Sequence, residues 1–184
     1  MQTRMIIVSG SPGSGKTGLA EKLGDEFGYP VISRDALKEV LMDIWPPENP
    51  EASENLGHAS WPLMYQVLDA LLGRIPGIVV ESNFVRGDSE ADIQQRLERT
   101  QAILVHCAAA EGEIVERLHD RKDDSSRHEG HFDNEVAPDV IRAIENDEYE
   151  PLILPVPVIQ VDTTDGYDPS LSQIAQTIQK TFEI

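Results

Sequence analysis

Residues Gly10-Ser11-Pro12-Gly13-Ser14-Gly15-Lys16-Thr17 constrain this chain more than any other stretch. They satisfy every fixed position of the pattern G-x-x-x-x-G-K-[ST], directly after the apolar run Met5-Ile6-Ile7-Val8 and directly before a helical pattern. A loop that wraps a phosphate turns its backbone N–H groups inward, and Gly10, Gly13 and Gly15 allow the dihedrals and the close approach this requires. In such a loop Lys16 reaches the β and γ phosphates as a point charge and Thr17 offers a hydroxyl to Mg²⁺. The helix that follows aims the positive end of its dipole at the same anion. A chance glycine-serine loop is the alternative, and the strand, loop and helix order argues against it.

The rest of the chain alternates short apolar runs with helical spacing. Met5 to Ser9, Pro30 to Ser33, Ile78 to Glu81, Ala102 to Cys107 and Pro157 to Val161 read as strands. Lys16 to Phe27, Asp35 to Ile44, Asp88 to Thr100, Glu111 to Lys122, Val136 to Tyr149 and Leu171 to Phe182 read as helices. Glu48 to Gly57 is polar, acidic and proline-bearing and reads as an exposed loop, with Ser60-Trp61-Pro62 opening the next helix. Continuous β-branched strands alternating with helices predict an α/β fold, a parallel sheet sandwiched between helices with its ligands at the carboxyl ends of the strands. With 184 residues and no linker or repeat, the expectation is a single domain over residues 1–184.

Charge narrows the partners. Fifteen Lys and Arg against 33 Asp and Glu leave a formal net charge of -18, a field that repels nucleic acid and anionic membrane. A small-molecule partner is therefore expected. The single cysteine, Cys107, excludes an intrachain disulfide and suits a reducing compartment. It follows an apolar run, as a small buried residue at a strand end would. The first apolar run is shorter than the roughly 7–15 residues of a secretory h-region, so a cytoplasmic location is expected.

In a parallel sheet the residues just beyond each strand converge on one edge. Ser33-Arg34-Asp35, Glu81-Ser82-Asn83 and Asp162-Thr163-Thr164 are thereby brought to the phosphate loop. Asp35 is placed to accept a proton from a substrate hydroxyl attacking the γ-phosphorus, or else to cap its helix, a role Ser33 could fill. Arg34 is a candidate clamp for an acceptor. Glu81 ends an apolar strand, where a buried carboxylate calls for a partner and Mg²⁺ is the expected one. Ser82 and Asn83 fit either the metal's waters or the acceptor. Thr163 is expected beside the nucleotide.

Arg117 and Arg121 share one helix face and Arg127 follows in a charged segment. Together they suit a lid, roughly residues 117–135, that closes over phosphates and neutralises developing charge. Glu113, four residues before Arg117, also allows an ordinary surface ion pair. His128, His131 and Asp133 invite a metal reading, but no further ligand completes a site, and solvated loop histidines are expected. Trp45, His58, Trp61 and Tyr65 could stack on a substrate ring, and core packing explains Trp61 and Tyr65 equally well.

On these motifs the chain resembles the P-loop kinase-like proteins grouped with polynucleotide kinase, zeta toxin and chloramphenicol phosphotransferase. The resemblance rests on residues 10–17, Ser33-Arg34-Asp35, the strand from Ile78 to Glu81 with Ser82-Asn83, the arginine region, and Val161-Asp162-Thr163-Thr164. It implies a five-stranded parallel sheet in the order 2-3-1-4-5, ATP with Mg²⁺, and transfer of the γ-phosphoryl group to a hydroxyl. It also implies that Asp35 is the proton acceptor and that the arginines form the lid. Glu81 departs from the aspartate many relatives carry there. Acceptors differ widely between relatives, so nucleosides, nucleotides, sugars and antibiotic-like alcohols all remain open. A nucleotide-dependent switch or ATPase read by a protein partner is the competing function. No N-K-x-D tetrad of the guanine-specific kind is present, so ATP is the default nucleotide.

Overall fold

Eight residues, Thr3–Gly10, form the central strand β1 in the computed structural model, which describes residues 2–121 and 128–183, the side chains of 134–136 excepted. β1 pairs in parallel with β3 (Gly77–Glu81) on one side and β4 (Thr100–Ala108) on the other. Outside these lie β2 (Val31–Ser33) and β5 (Val158–Asp162), which completes the parallel order β2-β3-β1-β4-β5 expected from the resemblance.

Alternate residues of the buried strands face opposite layers. Ile6, Val8, Val105 and Val161 pack with Leu19 and Leu23 of α1 (Lys16–Phe27) and with Ile174 and Ile178 of α7 (Leu171–Phe182). Met5, Ile7, Val80 and Leu104 pack with Met64 and Leu68 of α3 (Pro50–Leu71) and Ile93 of α4 (Glu90–Leu97). Covering both faces with apolar surface is what allows strands without polar alternation. Cys107 belongs to the first of these cores, and burial pushes its thiol up to about 12, so it behaves as a small apolar residue.

The remaining helices are α2 (Arg34–Ile44), α5 (Glu111–Asp120) and α6 (Asp133–Glu145), with a short 3₁₀ turn at Glu129–His131. None of the described helices is long and apolar enough to cross a membrane.

Two expectations about the elements need correction. Residues 50–57, expected as an exposed loop, are the first turns of α3, and Pro62 lies inside that helix rather than at its start. Asn49 caps it, accepting the Ala52 N–H at 2.9 Å, and Pro50 occupies the first turn, where a missing N–H costs nothing. The face buried there is Ser53, Gly57 and Ser60, small residues at helical spacing that leave no apolar period to read. Thr100, assigned to the fourth helix, instead starts β4, paired with Thr3. The lid expected over 117–135 is described only in part: Arg127 lies outside the described residues.

Candidate active site

Parallel register brings the strand ends together. Val8 and Ser33 are both level with Glu81, Gly10 is level with Cys107, and Ala108 is level with Asp162. The phosphate loop leaves β1 at that edge, and its glycines carry positive φ: 146° at Gly10, 84° at Gly13 and 73° at Gly15. A Cβ at Gly10 would overlap the Cys107 carbonyl oxygen, and one at Gly13 would meet Ile114 Cγ2 at 3.0 Å. Glycine is therefore required by both dihedral and space. Ser14 N–H donates to the Ser11 carbonyl at 3.1 Å, closing the loop across Pro12.

Helix α1 begins behind Gly15 with no side-chain cap and no acidic residue in its first turn, so its first N–H groups and dipole are left to an anion. Gly15 and Thr17 are exposed at this opening, whereas Lys16 is buried. Lys16 Nζ donates to the Ser11 carbonyl at 3.3 Å and lies 3.9 Å from Glu81 Oε1. Burial lowers the Lys16 pKa and raises that of Glu81, and the attraction between the two opposes both shifts. Glu81 Oε2 and the Ser14 hydroxyl are buried with no hydrogen-bond partner among the described residues. Orphaned oxygens of this kind, with an exposed Thr17 hydroxyl nearby in sequence, are a donor set that fits a hard cation and its waters.

A second loop braces the first from behind. Thr163 Oγ donates to the Ser14 carbonyl at 2.8 Å, and Thr163 N–H to the Ala108 carbonyl at 2.8 Å. Thr164 Oγ accepts the Ala110 N–H at 2.9 Å at the start of α5. Arg117 ties these parts together: Nη1 donates to the Gly13 carbonyl and Thr163 Oγ, each at 3.2 Å, and Nη2 donates to the Thr163 carbonyl at 2.6 Å. Its Nε is held by Glu113 at 2.8 Å. Thr163 and Arg117 thus act on the phosphate loop through its backbone in this structure.

Arg121, one turn on, is 4.0 Å from Asp133 and faces a cavity of about 580 Å³. Lys16, Arg34, Asp35, Asn83 and Trp61 also line that cavity. Ser33 caps α2 by accepting the Ala36 N–H at 3.4 Å, so the cap belongs to serine and Asp35 sits in the first turn with its carboxylate toward the cavity. Arg34 Nη2 holds Asp35 Oδ1 at 2.7 Å, and its guanidinium lies 4.9 Å from the Trp61 ring centre. Ser82 is buried and bonded to Asn83 at 3.4 Å, so of this pair only Asn83 reaches the cavity.

The histidines are not solvated. His131 is buried with Nε2 at 2.8 Å from Glu39 Oε1, and His128 Nε2 lies 3.4 Å from Asp43 Oδ1. Glu39 and Asp43 are one turn apart on α2, so His128 and His131 both pack against that helix. No group of three or more metal-ligating side chains occurs among the described residues. Of the four aromatic candidates, Trp61 and His58 line the cavity, Tyr65 packs beneath Arg96 at 4.3 Å, and Trp45 is exposed elsewhere.

Sequence reasoning missed Tyr149 and Lys38, both on the cavity wall. Tyr149 arrives from the turn after α6 and shares the cavity wall with Asn83. No motif marks it. Lys38 was legible as one turn beyond Arg34 on the same helix face.

Comparison with known proteins agrees with this architecture. The family model described as AAA domain, AAA_33, matches residues 5–143. A protein of Chloroflexus aurantiacus j-10-fl, provisionally described as a kinase, is 28% identical with a TM-score of 0.87, covering 98% of this chain and 99% of that one. A gluconokinase from Sinorhizobium meliloti 1021 is 18% identical with a TM-score of 0.54, over 99% and 92% of the two chains. Shikimate kinase from Acinetobacter baumannii is 17% identical with a TM-score of 0.56, over 98% and 94%. The last two share the fold. No functionally curated protein matches the sequence.

Proposed function

Because the chain belongs to the AAA domain family AAA_33, and a cavity of about 580 Å³ opens on the phosphate loop, we propose that it is a kinase passing the γ-phosphoryl group of ATP to a hydroxyl of a small molecule. One observation carries this reading: Lys16, which belongs to the phosphate loop, and Asp35, which does not, face the same cavity of about 580 Å³. That volume suits one small acceptor beside the terminal phosphate. The provisional description of the Chloroflexus protein as a kinase, and the gluconokinase and shikimate kinase of like fold, support the same reaction class.

In this mechanism the loop amides, the α1 N-terminus and Lys16 hold the phosphates. Asp35, steadied by Arg34, accepts the proton of the acceptor hydroxyl as that oxygen bonds to the γ-phosphorus and the bond to the β,γ-bridging oxygen breaks. Asn83 orients the acceptor, and Arg121 contributes positive charge from across the cavity. Arg117 acts from behind by keeping the phosphate loop in shape. Ser33 and Ser82 position Asp35 and Asn83. Thr17 and Glu81 are the groups that would hold Mg²⁺, which when bound offsets phosphate charge.

Lys16→Ala should abolish MgATP binding in calorimetry. Asp35→Asn should bind MgATP within about twofold of wild type but lose phosphoryl transfer by a factor on the order of 10²–10⁴, the range of general base catalysis. A screen over nucleosides, sugars and phenicol-like alcohols supplies the acceptor. Transfer by Asp35→Asn at the wild-type rate would refute the base assignment. Hydrolysis without any acceptor would favour a nucleotide-dependent switch.

A further inference from the structure

We infer that a second cavity, of about 160 Å³ and apart from the proposed kinase centre, is an effector site: it takes an uncharged, hydroxyl-bearing ring of benzene size, and the phosphate loop responds to its occupancy. The observation behind this is a buried histidine with nothing to bond. β4 is apolar from Ile103 to Val105, and alternation puts the next residue, His106, on the face of Leu104. It is 6% exposed, and neither ring nitrogen has a hydrogen-bond partner among the described residues. Nδ1 is sealed, which leaves Nε2 as the nitrogen open to the cavity that His106 lines. Ser9, level with it on β1, is also buried with an unpartnered hydroxyl. An apolar side chain would fill this place without burying a polar group, so the imidazole points to a ligand.

The walls set the chemistry of that ligand. A cavity of about 150 Å³ accepts benzene, so this one has room for one six-membered ring. Ile114, Ile144, Ala109 and Tyr149 give that ring apolar surface. Burial, with the Arg86 charge adding to it, lowers the His106 pKa to about 4, so the imidazole is neutral at pH 7. A neutral imidazole has one donor and one acceptor, and a hydroxyl, which is both, matches either tautomer. Asp147 and Glu150 are exposed at the wall, with Glu150 3.8 Å from Arg86. They repel an anion, and as solvated groups they hold an ammonium only weakly.

Two parts of the wall support the phosphate loop. Ser11 belongs to that loop, and its carbonyl accepts from Ser14 N–H at 3.1 Å and Lys16 Nζ at 3.3 Å. Ile114 lies so close to Gly13 that a Cβ there would meet its Cγ2 at 3.0 Å. The outer wall is fastened as well: Arg86 N–H donates to the Glu148 carbonyl and Arg86 Nε to the Pro151 carbonyl, each at 2.9 Å, on either side of Tyr149 and Glu150. Among the described residues, Tyr149 alone lines both this cavity and the larger one. A ring seated against Ser11, Ile114 and Tyr149 favours this shape of the loop over others, and a phosphate that binds the same shape is held more tightly.

The test uses the whole chain at pH 7.0 and follows its histidines by imidazole NMR, with the His106 signal assigned by comparison with His106→Gln. Phenol should shift that signal saturably with a Kd on the order of 1 mM, toluene about tenfold more weakly, and benzoate not at all. By saturation transfer to the ligand, His106→Phe should lose the preference for phenol over toluene, and Ala109→Leu, which fills the cavity, should lose both. In calorimetry MgATP should bind at least about fivefold more tightly with phenol near saturation, and phenol more tightly with MgATP by the same factor. A His106 signal that phenol leaves in place overturns the inference, as does equal binding of benzoate or an MgATP affinity that phenol does not change. The toluene and benzoate comparisons need no variant, so they decide the case even where a substitution unfolds the chain. If MgATP does not bind at all, the kinase reading fails, and the His106 titration by itself upholds or overturns the site.

Discussion

Acid should unfold this protein through a histidine that has no part in the proposed chemistry. His106 lies in β4, level with Ser9 of β1, and is buried with Nδ1 lacking a hydrogen-bond partner among the described residues. Burial, with the Arg86 charge adding to it, lowers its pKa from 6.5 to about 4. A native pKa below the unfolded value means that the unfolded chain takes up the proton first. The stabilisation is therefore complete above pH 6.5 and is lost as the pH falls toward 4. At about 1.36 kcal/mol per pH unit, the full loss is roughly 3 kcal/mol, a large share of a stability of about 5–15 kcal/mol. Urea titrations of wild type and His106→Gln at pH 7.0 and 4.5 isolate the effect, because all the other titrating groups are common to both proteins. Glu81, raised by its own burial and titrating in the opposite sense, cancels in the same difference. The advantage of wild type over His106→Gln should shrink by roughly 2–3 kcal/mol between the two pH values. A constant difference, or an imidazole NMR titration with its midpoint near 6.5, would refute the reasoning.

Two further outcomes follow from the packing. Arg117→Ala removes the donors to the Gly13 and Thr163 carbonyls, and should lower stability by about 2 kcal/mol and weaken MgATP binding about tenfold; a loss confined to kcat, with melting temperature and MgATP affinity unchanged, would instead place its charge on the transferred phosphate. Gly77→Ala drives a methyl group into the Tyr29 ring, which is stacked on Phe27 with centroids 5.7 Å apart. Overpacking of this kind should cost about 1–3 kcal/mol in urea unfolding, and a neutral result would mean that the ring moves aside freely.

The phosphate loop, the alternation of strands and helices, and α1 and α7 to the residue were legible because each is encoded locally. Glycine spacing, an apolar stripe and a Gly28 stop lie within a dozen residues of one another. Helix α3 was legible only from Ser60 onward. Its first turns bury Ser53 and Gly57 rather than an apolar stripe, and Arg34 and Lys38 pack beside Gly57 from another helix, an approach that nothing nearby in sequence records.

The site divides in the same way. Lys16 and Asp35 could be named from their positions beyond a strand, since parallel order alone sends strand ends to one edge. That Arg117 binds loop carbonyls, and that Tyr149 shares a cavity wall with Asn83, depend on distances between segments far apart in the chain. His131 was expected in solvent, yet it is buried against Glu39, ninety-two residues away. A phosphate cradle on a parallel sheet was readable along the chain, because backbone dihedrals and hydrophobic period are properties of short stretches. Which charges meet in the cavity beside that cradle emerged from the packed fold, because electrostatic contact depends on packing between helices and not on position along the chain.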